Sequence, residues 1–213
     1  MYTAASIADW KQVAASGTGD RRSEWNGLLS DANRYLTYQP TAPGSTWGYG
    51  RRDQLRNDAK SALNLAIAYA VTGDQTFATS ARRILLAWSE ITTFKSGNPD
   101  WRLDFVFHHL SLVYAAGLIR TSSVWSDSDE STFRAYLLRA SKYTTDDRVN
   151  NWADWGMAHE TSIGQYLGGT DGAALMDKNL AQMKKLIGVC QRQAKTDHLS
   201  ARRFQLAVAT LPQ

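Results

Sequence analysis

The sequence predicts an all-α protein, and three observations carry that prediction. Apolar residues recur at three- and four-residue spacings along almost the whole chain. No stretch alternates with period two between turn residues, as a half-buried strand would. Paired helical segments joined by turns recur about every fifty residues, the mark of a helical-hairpin array, either a closed toroid or an open solenoid.

The elements follow in chain order. A first short helix spans about Ala5 to Ala14, and a break at Ser16 to Gly19 ends it. The second starts after Asp20 as N-cap and carries Trp25, Leu28, Leu29, Ala32 and Leu36 on one stripe. From Thr37 to Gly50 the chain holds Pro40, Pro43, Gly44 and Gly48 beside Trp47 and Tyr49, so it reads as an aromatic loop fixed by turn residues. A helix from about Arg51 to Thr72 presents Ala59, Ala62 and Ala66 for close packing. Gly73 stops it, and Asp74 caps the next helix, which carries Phe77, Ile84, Leu85 and Trp88. A second hairpin follows Ser96-Gly97-Asn98-Pro99, with helices at Trp101 to about Thr121 and Asp127 to about Tyr143. Asn150 to Leu167 and Gly172 to Ala194 make the third, and residues 196–213 read as a divergent or truncated tail of one 213-residue domain.

Composition narrows the function. Apolar residues at 43% and charged residues at 21% exclude disorder, coiled coil and collagen. The net charge of +4 favours a polyanionic partner. The basic residues come as pairs (Arg21–Arg22, Arg51–Arg52, Arg82–Arg83, Lys184–Lys185, Arg202–Arg203), read as solvated helix faces, and no long basic run marks a nucleic-acid footprint. Eight Trp and nine Tyr supply flat faces on which sugar rings stack, or else fill wide helix–helix gaps. The lone Cys190 excludes an internal disulfide and a cysteine metal cluster. Residues Met1 to Ala15 lack the basic and apolar regions of a secretory signal, and no window reaches the ~18 apolar residues of a membrane span. No His-x-x-x-His or phosphate-loop motif calls for a metal or nucleotide.

Two stretches carry a family resemblance. Leu55-Arg56-Asn57-Asp58-Ala59 runs on through Ala66 to Thr72-Gly73-Asp74 and then Ala81 to Ala87-Trp88. Further on stands Asn150-Asn151-Trp152-Ala153-Asp154-Trp155-Gly156. Together they resemble the early hairpin and the Asn-Asn, Trp-x-x-Trp helix start of alginate-lyase-like polysaccharide lyases, over most of residues 50 to 195. The resemblance implies an incomplete (α/α) toroid with a long groove. It also implies β-elimination on 1,4-linked uronic acids without a redox cofactor, and a secreted or periplasmic location; the chain is separately expected to be a monomer. Some members carry His directly after the Asn pair, where Trp152 stands here, and members continue into a segment with Arg and a catalytic Tyr, whereas no Tyr follows Tyr166. In the place of that segment the chain offers Arg202 and Arg203, with His198 beside them.

The chemistry assigns expected roles. Removing the C5 proton of a uronate requires donors that offset the adjacent carboxylate, in the manner of an oxyanion hole. Asn150 and Asn151 fit at a helix start, where N–H groups and the dipole favour an anion; helix capping is the equal alternative. His159 shares a helix face with Trp152 and Trp155 and is the expected base, unless it is a structural histidine bonded to a neighbouring carbonyl. At least one of His108 and His109 faces the groove or the core. Tyr166 and Tyr49 are acid candidates by elimination, and Trp47 with Tyr49 are stacking platforms or core fillers. Asp154 and Glu160 keep an α/α glycoside hydrolase in view, and the absent C-terminal Tyr a non-catalytic carbohydrate-binding remnant.

Overall fold

The computed structural model describes residues 2–42, 44–95, 98, 100–145 and 150–188. Local chemistry sets most helix ends. Thr3 and Ser6 form a reciprocal capping box at the start of α1 (Ala4–Ser16). α2 (Gly19–Tyr35) begins two residues earlier than expected: Thr18 is its N-cap and Asp20 lies in the first turn, where its charge meets the positive end of the dipole. α3 (Arg52–Thr72) stops at Gly73, whose φ of 78° is left-handed, and α4 (Gln75–Ser89) starts at Asp74, whose carboxylate accepts from the Thr76 N–H. Ser126 and Asp129 box the start of α6 (Asp127–Ala140), after α5 (Trp101–Ile119). Asn150 caps α7 (Asn151–Leu167), and residues 169–188 form α8.

The two-residue turn between α3 and α4 forces them antiparallel, so alternate helices point the same way. α3, α5 and α7 pack side by side as one row, while α4 and α6 form a second row outside it and α1 and α2 lean on α3. This is the expected incomplete α/α toroid. The main core lies between the rows, where Ala59, Ala62 and Ala66 of α3 are buried and let the neighbouring backbones approach.

The sequence pattern hid one element. Thr46–Gly48 (β1) pairs in parallel with Thr93–Lys95 (β2), Thr46 opposite Thr93 and Gly48 opposite Lys95. Three residues are too few to show a period, and the pairing joins points in successive repeats. Each strand precedes an inner helix, β1 through a 3-10 turn at Tyr49–Arg51, so the ribbon sets the entry of α3 and α5.

Buried Asp58 ties the layers together. Its carboxylate accepts from Trp88 Nε1 at 2.7 Å, the Thr41 N–H at 2.9 Å, Tyr38 Oη at 2.5 Å and Thr41 Oγ1 at 3.2 Å. The Asp58 and the Trp88 of the first family stretch thus serve one network. Nor is the Arg82–Arg83 pair a solvated face. Arg82 forks onto Asp129 with both distances 2.8 Å, and Arg83 donates to the carbonyls of Leu36 and Tyr38. Arg139 reaches the carbonyls of Ser89 and Ile91 in the same way, so arginines satisfy chain carbonyls that would otherwise lack partners.

Candidate active site

The row α3, α5, α7 brings three helix starts to one end of the molecule. On α7, Asn150 uses its side-chain oxygen to accept the Trp152 N–H at 3.1 Å, the capping alternative for this residue. Asn151 is exposed, and it lies one turn before Trp155 on the same helix face. The Trp155 ring meets Phe107 of α5 edge-on at 4.5 Å, and Phe107 meets the adjacent His108 at 4.9 Å. Phe107 is 45% exposed and leaves an apolar edge beside the Trp155 ring open to a ligand. Trp152 is half-buried, its carbonyl accepting from Thr145 Oγ1.

His108 looks toward α3. Burial lowers its pKa, Asp104 opposes that shift, and Arg56 adds to it. Arg52 stacks over the Tyr49 ring and donates to its hydroxyl at 2.7 Å, while standing 3.9 Å from Asp104. Arg56 pairs with Asp53 at 3.2 Å. These pairs are largely exposed, and such contacts are individually weak (about 0–1 kcal/mol), so an arriving carboxylate can compete for either guanidinium. Sequence reasoning missed Arg52, Arg56 and Phe107 as site residues. The available signal was the Arg51–Arg52 pair directly after the aromatic loop, together with Phe107 next to His108.

Three expectations give way to core packing. Trp47 is fully buried against Trp101 and Phe105, so no face of it is open to a sugar; β1 turns it inward. His159 is also fully buried. Its Nε2 lies 2.8 Å from Nδ1 of His109, Phe105 packs on both rings, and burial lowers its pKa to about 3. His159 is thus structural, with the His109 ring as its partner in place of the expected carbonyl, because helical phase directs residue 159 into the α5–α7 seam. Tyr166 donates to Glu130 at 2.6 Å, and Arg120 covers its ring at 4.4 Å; burial raises its pKa, so its proton is held in the core. Arg202, Arg203, His198 and Cys190 lie outside the described residues.

Glu160 is buried on α7 and bonds Lys178 at 2.6 Å, whereas Asp154 is exposed in the first turn. Among the described residues no three His, Cys, Asp or Glu side chains gather in the way a metal ion requires, and no helix is long and apolar enough to cross a membrane. A groove of about 580 Å³ lies at the far end of α3 and α5, against α1, and is lined by Ile7, Lys11, Tyr69, Leu118 and Thr121. Its lining holds one lysine and one tyrosine but no histidine, arginine or carboxylate, whereas His108, Arg52 and Arg56 stand at the end with the helix starts.

Comparison with known proteins agrees with this architecture. The solved structure of an alginate lyase from Bacteroides ovatus superimposes with a TM-score of 0.63 at 14% identity, covering 87% of this chain. The chain spans 64% of that protein's length. A search of curated protein sequences finds no match. The family description "Alginate lyase" matches residues 7–188, nearly the whole described chain, and on that match the chain belongs to the alginate lyase family.

Proposed function

We propose that this chain is a polysaccharide lyase module that cleaves a uronate-containing polymer of the alginate or glucuronan type by β-elimination. Its site is the open face at the starts of α3, α5 and α7. The observation that supports this reading is the chain of ring contacts Trp155–Phe107–His108, which begins one helical turn from Asn151, while Arg52, bonded to Tyr49, and Arg56 act electrostatically on His108.

In the proposed reaction a sugar ring rests against the Trp155–Phe107 edge, and its carboxylate lies toward the Asn151 amide and the start of α7, with Arg52 or Arg56 as cationic partner. Those donors stabilise the charge that builds as the C5 proton leaves. Neutral His108 accepts that proton, the electron pair forms the C4–C5 double bond, and the C4–O4 bond breaks. Tyr49 gives a proton to the departing oxygen; its own oxygen already accepts from Arg52, which leaves the hydroxyl hydrogen free for transfer. The lowered pKa of His108 keeps its imidazole unprotonated at neutral pH, as a base requires. Asn150 supports the site by holding the start of α7. The substrate class also implies action outside the cytoplasm.

The test is ultraviolet absorbance of the unsaturated product on alginate, glucuronan and related polyuronates. Asn151→Ala is expected to lower turnover about 10²- to 10³-fold, the loss seen when one oxyanion donor is removed. His108→Ala should remove the acid limb of the pH profile along with most of the rate. Reducing ends released without a double bond, or unchanged turnover in Asn151→Ala, would refute the reading.

A further inference from the structure

The groove at the far end of α3 and α5 plays no part in the reaction above. α1 is docked through its second half, where Val13 is buried with Trp25, Ile67 and Val71, and Trp10 and Ala14 pack on them. Its first half stands beside the groove. Small residues leave the space: Ala4 and Ala8 on α1, Ala70 and Gly73 at the end of α3, and Gly117 on α5. The resulting volume of about 580 Å³ falls in the range of small-ligand sites, ~300–1,000 Å³. A smaller recess of about 340 Å³ lies between the first turn of α1 and Tyr114, where Tyr2 meets the Tyr114 ring edge-on at 6.2 Å. Tyr114, Gly117, Leu118 and Thr121 recur at three- and four-residue spacings, so both hollows follow one stripe of α5.

Three polar groups on the groove lining have no hydrogen-bond or ion-pair partner among the described residues: the Lys11 ammonium and the Tyr69 and Thr121 hydroxyls. The carboxylates nearest to them in sequence are committed elsewhere, Asp9 to Arg21 and Asp74 to the Thr76 N–H and hydroxyl. Lys11 therefore gives the groove a positive charge that no acid in the lining neutralises, on a chain that carries +4 overall. One cation, two hydroxyls, a tyrosine ring and a small apolar lining match a sugar that carries a carboxylate, whose ring face is apolar and whose edge is polar. A purely apolar ligand would strip water from those polar groups and offer nothing in return.

We propose that this groove is a second, non-catalytic site for a uronate-bearing saccharide, with Lys11 holding the carboxylate and Tyr69 and Thr121 the ring hydroxyls. Tyr69 stands about 25 Å along α3 from Arg52, so the groove is separate from the reacting site. A long polymer held in the groove is kept at a raised local concentration near the helix starts. The choice of sugar rests on the lyase reading; the hollow and its unpartnered groups do not.

Amide chemical shifts of the isotope-labelled whole chain, titrated with a tetrameric oligoalginate, test the proposal and report the two ends separately. An Asn151→Ala background spares the saccharide. Shifts are expected at Tyr69, Gly73, Gly117 and Thr121 whether or not the helix starts respond, so failure of the lyase reading leaves this result standing. Lys11→Glu should weaken the groove affinity about tenfold. Ala8→Trp, which fills the hollow at an exposed position without changing the charge, should remove the shifts. Silence at those amides up to millimolar saccharide would overturn the proposal, as would shifts that survive either substitution. Equal shifts with neutral cellotetraose would overturn the acidic class of ligand. Shifts that grow with protein concentration alone would make a second copy the occupant and overturn it as well.

Discussion

Replacing Asp58 by leucine removes the acceptor for four donors at the centre of the hairpin array. The donors are not equivalent. Trp88 is fully buried, so its Nε1–H finds no water and carries the whole desolvation cost, about 1–3 kcal/mol. Thr41 is exposed, and the Tyr38 and Thr41 hydroxyls can turn to solvent, so their losses are smaller. The expected total is about 2–4 kcal/mol, a large share of an ordinary domain stability of about 5–15 kcal/mol. Asp58→Asn should behave differently. Its amide oxygen can face Trp88 and the Thr41 N–H, while its NH₂ faces the two hydroxyls, which accept as readily as they donate. Only charge assistance is lost, about 1 kcal/mol or a melting shift of about 2–4 °C. Urea unfolding followed by tryptophan fluorescence measures both variants, with an unchanged denaturant slope expected. Tyr38 gives a second readout, because burial and then the Asp58 hydrogen bond push its phenol up to about 12; Asp58→Leu should bring that titration down. Equal losses in the two variants, or a leucine chain as stable as the asparagine one, would refute the role given to Asp58.

Other outcomes follow from the same structure. Both imidazoles of the His109–His159 pair are held neutral by burial, so the unfolded chain takes up more protons once the pH drops below the usual histidine value near 6.5; stability should fall from there toward pH 3, by up to about 1.4 kcal/mol per pH unit for each ring, and His109→Phe with His159→Leu should flatten that slope in urea titrations. Asp129 is lowered to about 2, chiefly by Arg82; its contribution is complete above the ordinary carboxylate value and disappears as pH falls through 2, so Asp129→Asn should weaken the chain at pH 6 and leave less to lose under acid. A Cβ on Gly172 would stand 2.4 Å from the Gly164 carbonyl oxygen, so Gly172→Ala should cost about 1–3 kcal/mol in thermal unfolding, more than Gly27→Ala, where a Cβ meets nothing within 4 Å.

What the sequence determined by itself is what short-range physics controls. The stop at Gly73, the cap at Asp74 and the cap at Asn150 depend on neighbours within four residues, and each stands where the pattern predicts, while the helix spans agree to within a few residues. The recurrence of hairpins was legible for the same reason, and so was the family. Direction across the fold was not. His108 and His109 are adjacent, yet about 100° of helical turn sends one toward Arg52 and Asp104 and the other into the α5–α7 seam. Trp47 and Tyr49 share one aromatic loop, but β1 pairs with a strand in the next repeat and turns Trp47 into the core, while Tyr49 stays beside Arg52. Arg82 and Arg83 look like any exposed basic pair until α6 and the end of α2 supply a carboxylate and free carbonyls. Such choices depend on groups tens of residues away. A local pattern fixes where a helix begins and which of its faces is apolar; only the assembled rows decide what each face meets.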